Sequence, residues 1–229
     1  MTTIATVCAR GGSRGVPGKN SRLMLGRPLI GYTIGQALSC PEIDKVYVST
    51  DSEEIAEIAV SEGALLLGLR PAHLATDDAP KLPVIEHLVE SVEASGVPVD
   101  RIVDLDPTSP LRVSSDISRC LQLLDPDTDV VITGYRSDKN PYFNMVEEKD
   151  GEWFGLVVDG GGVGSRQLAP PVYAMNASIY CWWRRSLGSS LWEGHVRMYE
   201  MPRERSIDVD HPLDWDLVEL LLRRREEGQ

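Results

Sequence analysis

Apolar runs of strand length and segments of helical period take turns along the first 135 residues, and that rhythm limits the fold more than any motif does. Ile4 to Ala9 is a short apolar run with β-branched residues and reads as a buried strand. Pro28 to Leu38 repeats apolar residues at helical spacing, with Pro at a plausible first position. Lys45 to Thr50 is a strand, and SEEIAEIAVSEG is a helix with Ser52 as N-cap and Gly63 past its end. Ala64 to Leu67 reads as another short strand. Pro83 to Ala94 is helical, Arg101 to Leu105 a strand, Ser114 to Leu124 a helix and Asp129 to Tyr135 a strand. Short connections join them. The pattern predicts an α/β fold whose doubly wound, mainly parallel sheet is covered on both faces. Ligands bind such sheets at the carboxyl ends of the strands, so the loops at 10–20, 51 and 106–112 should converge on one mouth.

At about residue 136 the rhythm changes. Residues 136–175 hold strand-like pieces (FNMVEE, WFGLVV), a glycine cluster and no clear helix, and are expected to form an inserted β-rich arm on a single domain spanning 1–229. Ala177 to Trp182 and Val196 to Met201 return to strand. Pro212 to Arg225 closes the chain as an amphipathic helix with Arg in its last turn, as the helix dipole prefers.

The first strand runs into a loop with four glycines (Gly11, Gly12, Gly15, Gly18) and three cations (Arg10, Arg14, Lys19). Glycines let backbone N–H groups approach a ligand closely, and cations neutralise it, so the loop suits a polyphosphate. The pattern G-x-x-x-x-G-K-[ST] fails, because Ser13 stands for Gly and Asn20 for Ser/Thr; G-x-G-x-x-G is absent too. The plain alternative is a basic, glycine-rich surface turn. A net charge of −12 argues against a nucleic-acid binder and makes a fixed cationic loop more telling. Cys8, Cys40, Cys120 and Cys181 are scattered without metal spacing, which suggests reduced thiols and a cytoplasmic location. No apolar run is long enough for a membrane span, and no leader pattern is expected at the N-terminus.

Three further constellations carry chemistry. In DPTSPLR two prolines stiffen a loop on which Thr108, Ser109 and Arg112 offer donors; an ordinary β-to-α turn is the rival. In SIDVDHP, Asp208 and Asp210 would point the same way about 6–7 Å apart if extended. Two carboxylates on one face suit Mg²⁺, which keeps waters and substrate phosphates, although Asp210 capping the helix at Pro212 competes. In SRQLAPPVYAMNASIY, Arg166 and Gln167 are candidate partners for a carboxylate and hydroxyls, with Asn176 before the strand and Tyr180 within it. Lys81 could reach a nucleotide or be merely solvated near a helix start; Trp182, Trp183 and Trp192 could stack on a ligand but better suit core or dimer contacts.

Together ARGGSRGVPGKN, VYVSTDS, RPAHLATD, DPTSPLR, MNASIY and SIDVDHPLD resemble, in order over essentially the whole chain, the acylneuraminate (CMP-sialic acid) cytidylyltransferases. The resemblance implies a Rossmann-like nucleotidyltransferase core, a homodimer made by the inserted arm, and Mg²⁺-dependent transfer of CMP from CTP to the anomeric hydroxyl of a nine-carbon 2-keto sugar acid. It implies triphosphate binding by Arg10, Gly11, Gly12, Arg14 and Lys19 with Asn20 beside them. Arg70, Asp78 and Lys81 then lie on the base and ribose side, Asp208 and Asp210 hold the metal, and Arg166, Asn176 and Tyr180 fall at the sugar acid. Two departures stand out. Many sialic acid enzymes read LQPTSPLR where this chain has Asp106, and small polar residues where it has Pro80 and Lys81. A carboxylate accepts but cannot donate, and it repels a carboxylate. With RQLAPPVYAMNASIY, these residues look more like the bacterial branch that handles sialic-acid-like sugars such as legionaminic acid. Rival readings are transfer from another base (GTP) or to an eight-carbon acid, and a nucleotide-binding protein without catalysis.

Overall fold

The computed structural model describes residues 1–12, 15–76, 78–159, 161–162, 164–165, 167–188 and 190–228. In chain order the strands are β1 (Thr3–Cys8), β2 (Leu23–Met24), β3 (Arg27–Pro28), β4 (Lys45–Ser49), β5 (Arg101–Leu105), β6 (Val130–Arg136), β7 (Val146–Glu148), β8 (Phe154–Leu156), β9 (Tyr173–Trp183) and β10 (Val196–Glu200). The α-helices are α1 (Leu29–Leu38), α2 (Glu53–Ser61), α3 (Lys81–Ala94), α4 (Ser114–Leu123) and α5 (Pro212–Glu226).

Six strands form one sheet in the order β10-β6-β9-β5-β1-β4. β1 runs parallel to β4 and β5, and β10 parallel to β6. Only β9 is antiparallel, to both β5 and β6. Reversal brings the N-terminal end of β9 to the edge where β5 and β6 end, so it shares the mouth with their loops. β2 and β3 form a separate small hairpin, as do β7 and β8. The segment 64–67 is not a strand: Leu65 alone bridges Tyr47, and Gly63 with φ +97° turns the chain away beyond α2.

The sheet is apolar on both faces. Val7, Val48, Val103, Val131 and Cys181 pack towards Ile30, Ile34, Ile55, Ile117 and Leu121. On the other face Ile4, Ile102 and Trp182 meet Ile85, Leu88 and Val89. This two-sided burial explains why the strands read as continuous apolar runs. A third cluster, with Val16, Leu111, Val209, Trp215 and Val218, ties the glycine loop, the turn after β5 and α5 together beside the mouth. Ser52 accepts from the Ile55 N–H at 3.4 Å and caps α2. α5 is capped by Asp214, whose Oδ2 accepts from the N–H groups of His211 (2.7 Å) and Asp210 (3.1 Å). Asp210 is thereby released from the capping duty that competed with a metal role.

Candidate functional site

The predicted mouth is built by the carboxyl ends of β1, β4 and β5, the bulged N-terminal half of β9, and a strap at 206–210 that follows β10. Asn20, 4% exposed, closes the glycine loop by donating to the Arg10 carbonyl at 3.2 Å. At the other end the Gly11 N–H donates to Asp51 Oδ1 at 2.9 Å, while Gly11 and Gly12 stay exposed. Gly15 lies so close to the strap that a Cβ there would stand 1.9 Å from the Asp210 carbonyl oxygen. Lys19 completes the junction, with Nζ donating to the Val209 carbonyl at 2.6 Å and to Asp210 Oδ1 at 3.1 Å. Arg14 lies outside the described residues, as does Arg166.

The strap is irregular rather than a strand, because Val209 turns fully into the core and its N–H donates to the Thr108 carbonyl at 3.0 Å. Asp208 and Asp210 still face one cleft of about 810 Å³, together with Asn176, Ala177 and Ser206. Asp208 Oδ1 is buried without a hydrogen-bond partner. Burial, then the charges of Asp106 and Asp210, push its carboxyl up to about 7 against the charge of Lys19. An orphaned hard oxygen beside a second carboxylate fits a divalent cation that completes its shell with water and phosphate oxygens. Among the described residues no group of three or more His, Cys, Asp or Glu side chains is gathered for a metal.

A second cleft, of about 290 Å³, is lined by Cys8, Arg10, Arg70, Leu74, Lys81 and Asp106. Arg70 is fixed by donating to Ser49 Oγ (2.9 Å) and the Ser49 carbonyl (2.6 Å). Lys81 opens α3 and lies 2.8 Å from Asp104 Oδ2 and 3.1 Å from Asp106 Oδ2. Burial alone would lower its pKa; the two carboxylates outweigh burial and hold the ammonium well above its ordinary value. Asp106 Oδ1 accepts from the Thr108 N–H at 3.1 Å and its hydroxyl at 2.6 Å. Lys81 and Thr108 overcome burial and keep that carboxyl below its usual range.

Other expected residues are placed differently. Ser109 is 1% exposed, inside the turn after β5. Arg112 is fully buried and donates to the carbonyls of Ser178 and Asp106, to Ser178 Oγ and to Thr33 Oγ1. Burial lowers its pKa to about 10. It anchors the turn rather than reaching a ligand. The Asn176 amide turns inward, with Oδ1 accepting from Thr133 and the Ser178 N–H and Nδ2 facing Met201 Sδ. Tyr180 is 9% exposed and stacks on Trp182 with centroids 5.6 Å apart. Asp78 and Gln167 are exposed. Asp104 is the residue the sequence reading missed; its signal was a charge inside the apolar strand RIVDL.

Comparison with known proteins bears on family and fold. The model of the cytidylyltransferase family matches residues 4–145. A Campylobacter coli protein described as post-translational flagellin modification protein B is 38% identical, over 97% of this chain and 95% of its own length. The CMP-N,N'-diacetyllegionaminic acid synthase of Campylobacter jejuni is 37% identical over 96% of this chain and 94% of its own. An N-acylneuraminate cytidylyltransferase of Danio rerio is 31% identical over 94% of this chain, matching 50% of its length. Among solved structures, a CMP:2-keto-3-deoxy-manno-octonic acid synthetase complexed with CTP superposes with a TM-score of 0.73 at 19% identity, over 98% of this chain and 100% of the other. A 4-diphosphocytidyl-2C-methyl-D-erythritol synthase reaches 0.70 at 12% identity, over 97% and 100%. The mainly parallel sheet, the glycine loop and these matches place the chain in the cytidylyltransferase family.

Proposed function

We propose that the chain transfers CMP from CTP to the anomeric 2-hydroxyl of a nine-carbon 2-keto sugar acid of the legionaminic or sialic type, releasing pyrophosphate. The observation that carries the reading is a pair of clefts beside the carboxyl ends of the parallel strands. The smaller has Arg10, Arg70 and Lys81 on its wall, and the larger has Asp208 and Asp210. A nucleotide in the first would point its phosphates towards the glycine loop. An acceptor in the second would then lie in line with the α-phosphorus. The name of the Campylobacter jejuni relative supports a legionaminic-type acceptor.

The chain's part is positioning and charge stabilisation, which dominate phosphoryl chemistry. Arg10, Lys19, the Gly12 N–H and, on leaving Asp51, the Gly11 N–H would hold the triphosphate and the charge growing on the leaving pyrophosphate. Cytidylyltransferases of this fold generally use a divalent metal. We assign it as Mg²⁺ on Asp208 and Asp210, where it would neutralise phosphate oxygens and lower the pKa of the attacking hydroxyl. Lys19 now occupies Asp210 and would be handed to phosphate as the cation takes the carboxylate.

We assign the arm, 136–175, as the surface that forms a homodimer. Trp153, Phe154, Leu168 and Tyr173 are exposed on it, a larger apolar display than solvent alone favours. Among the described residues no helix is long and apolar enough to cross a membrane. The four free cysteines suit a reducing compartment, and on that ground we place the protein in the cytoplasm. Titration calorimetry tests the nucleotide half of the reading. CTP with Mg²⁺ should bind at least tenfold tighter than GTP, and Lys19→Ala should lose most of that affinity; equal binding of the two would refute the assignment of CTP.

A further inference from the structure

Asp116 lies in the first turn of α4, fully buried, and three segments converge on its carboxylate. Its Oδ2 accepts from the Val113 N–H at 3.0 Å and from Arg205 Nε at 3.0 Å. Its Oδ1 accepts from Arg205 Nη2 at 2.7 Å and from the Tyr199 hydroxyl at 3.1 Å. The carboxylate therefore holds the exit of the turn after β5, the end of β10, and a guanidinium bound through two of its nitrogens. Stability does not ask for such a pair. Desolvating two charges largely offsets their attraction, and apolar side chains of similar volume often do as well. What the guanidinium fork gives and apolar packing does not is a fixed distance and a fixed orientation.

Arg205 ends the single helical turn Arg203–Arg205, and the strap begins at the next residue. Ser206 closes that turn, its N–H donating to the Arg203 carbonyl at 3.1 Å and its hydroxyl to the Pro202 carbonyl at 2.9 Å. Only Ser206 and Ile207 separate Arg205 from Asp208. Just past Asp208, the Val209 N–H is held at 3.0 Å by the Thr108 carbonyl. Asp208, with Oδ1 buried and unpartnered, thus hangs between two clamps, one on α4 and one on the turn that precedes it. Arg203, Glu204 and Ser206 line the large cleft, whereas the Arg205 side chain turns to α4. We propose that Arg205, through Asp116, is a positioning residue that sets the strap against the mouth, and with it the placement of Asp208 and Asp210 for a divalent cation. This rests on the assignment of the cation to those two carboxylates above. Mg²⁺ demands near-ideal ligand geometry, so a strap free to shift at its upstream end would bind it poorly.

The test reads metal affinity and needs no turnover. Mn²⁺, which suits the same oxygen ligands, is the probe. Its Kd is measured on the full chain with a non-hydrolysable CTP analogue, and the analogue's own Kd is measured without metal. Arg205→Lys keeps the charge and loses the fork. It should weaken Mn²⁺ roughly tenfold, the low end for groups that orient metal ligands from outside, while the analogue's Kd stays within about twofold. Arg205→Met strands Asp116 and should lower the melting temperature; adding Asp116→Leu removes the stranded charge and should recover the melt without recovering Mn²⁺. A Mn²⁺ Kd within about twofold of the parent's in Arg205→Lys overturns the proposal. Mn²⁺ affinity that returns together with the melting temperature in the double variant overturns it too, because stability alone would then explain the loss. If the Met variants do not fold, Arg205→Lys decides. Amide exchange supplies a metal-free arm: the Val209 N–H should exchange faster in Arg205→Lys, and an unchanged rate contradicts the proposal. Failure of the parent to bind Mn²⁺ would instead strike the cation assignment, and the exchange arm would then decide on the strap.

Discussion

Gly15 is where the glycine loop rests on the strap that carries Asp208 and Asp210. A methyl group there would sit 1.9 Å from the Asp210 carbonyl oxygen, so loop and strap must part by more than an ångström. Gly15→Ala should therefore cost at least about 100-fold in kcat/KM, a misplacement penalty, and should also lower the melting temperature, because the neighbouring Val16 and Val209 are packed together in one buried cluster. Steady-state kinetics beside a thermal melt checks this. Asp208 makes a pH prediction. Its folded pKa of about 7 lies above the ordinary 3.8, so the folded chain holds a proton that the unfolded chain releases. In metal-free buffer this contribution is intact below about pH 4, falls as pH rises towards 7, and is absent above it. Asp208→Asn should then gain stability relative to the parent at pH 8 but not at pH 4, and added Mg²⁺ should reverse the order by stabilising only the parent. Urea denaturation at the two pH values decides. Lys19, Asp208 and Asp210 were legible as residues because charge density and spacing announce them. Arg112 was legible as important but not in its role: the carbonyls of Asp106 and Ser178 consume its donors, and a sequence does not show where main-chain acceptors will point.

At the scale of elements, β9 departs most from its sequence pattern. Ala177 has φ +51°, a left-handed conformation within a strand, and the register against β6 shifts between Ile132 and Gly134. Gly134 is required there, since a Cβ would meet the Ala174 carbonyl oxygen at 2.6 Å. Thr133 braces the bulge by donating to Asn176 Oδ1 at 2.7 Å and accepting from the Ile179 N–H at 3.0 Å. The left-handed region costs a non-glycine residue about 1–2 kcal/mol. Ala177→Gly should accordingly be neutral or stabilising by up to about 1 kcal/mol, the reverse of the usual Ala→Gly effect; denaturant unfolding measures it, and a loss of stability would mean that the bulge is not strained. Nothing in MNASIY signalled the bulge, because it arises from pairing with two neighbours far away in the chain. The cap of α2 was legible, since Ser52 acts through its own next turn. α3 begins at Lys81, before the expected Pro83, because proline is tolerated in a first turn where its missing N–H is unneeded. Lys81 is thereby placed at a helix start beside β5.

For the whole molecule, alternation of strand and helix fixed the layers and the side on which the mouth lies, because periodicity reports two-sided burial directly. The antiparallel insertion of β9 between β5 and β6 was not readable, as ASIYCW is equally apolar in either direction. That reversal is what seats Asn176 and Ala177 beside Asp208 in a cleft of about 810 Å³, against about 290 Å³ for the cleft of Arg70 and Lys81. The acidic balance of −12 leaves the cations of the mouth as local exceptions within a repulsive surface. The arm, with Phe154 and Trp153 exposed, should pair copies of the chain; light scattering should give a dimer for the parent and a monomer for Phe154→Asp.

The most direct measurement is pyrophosphate release by the purified chain with Mg²⁺, comparing CTP and GTP against N-acetylneuraminic acid, N,N'-diacetyllegionaminic acid and the eight-carbon keto acid. Turnover that requires CTP, favours a nine-carbon acid and disappears in Asp210→Asn is the predicted result. Release with GTP, preference for the eight-carbon acid, or full activity in Asp210→Asn would contradict the account.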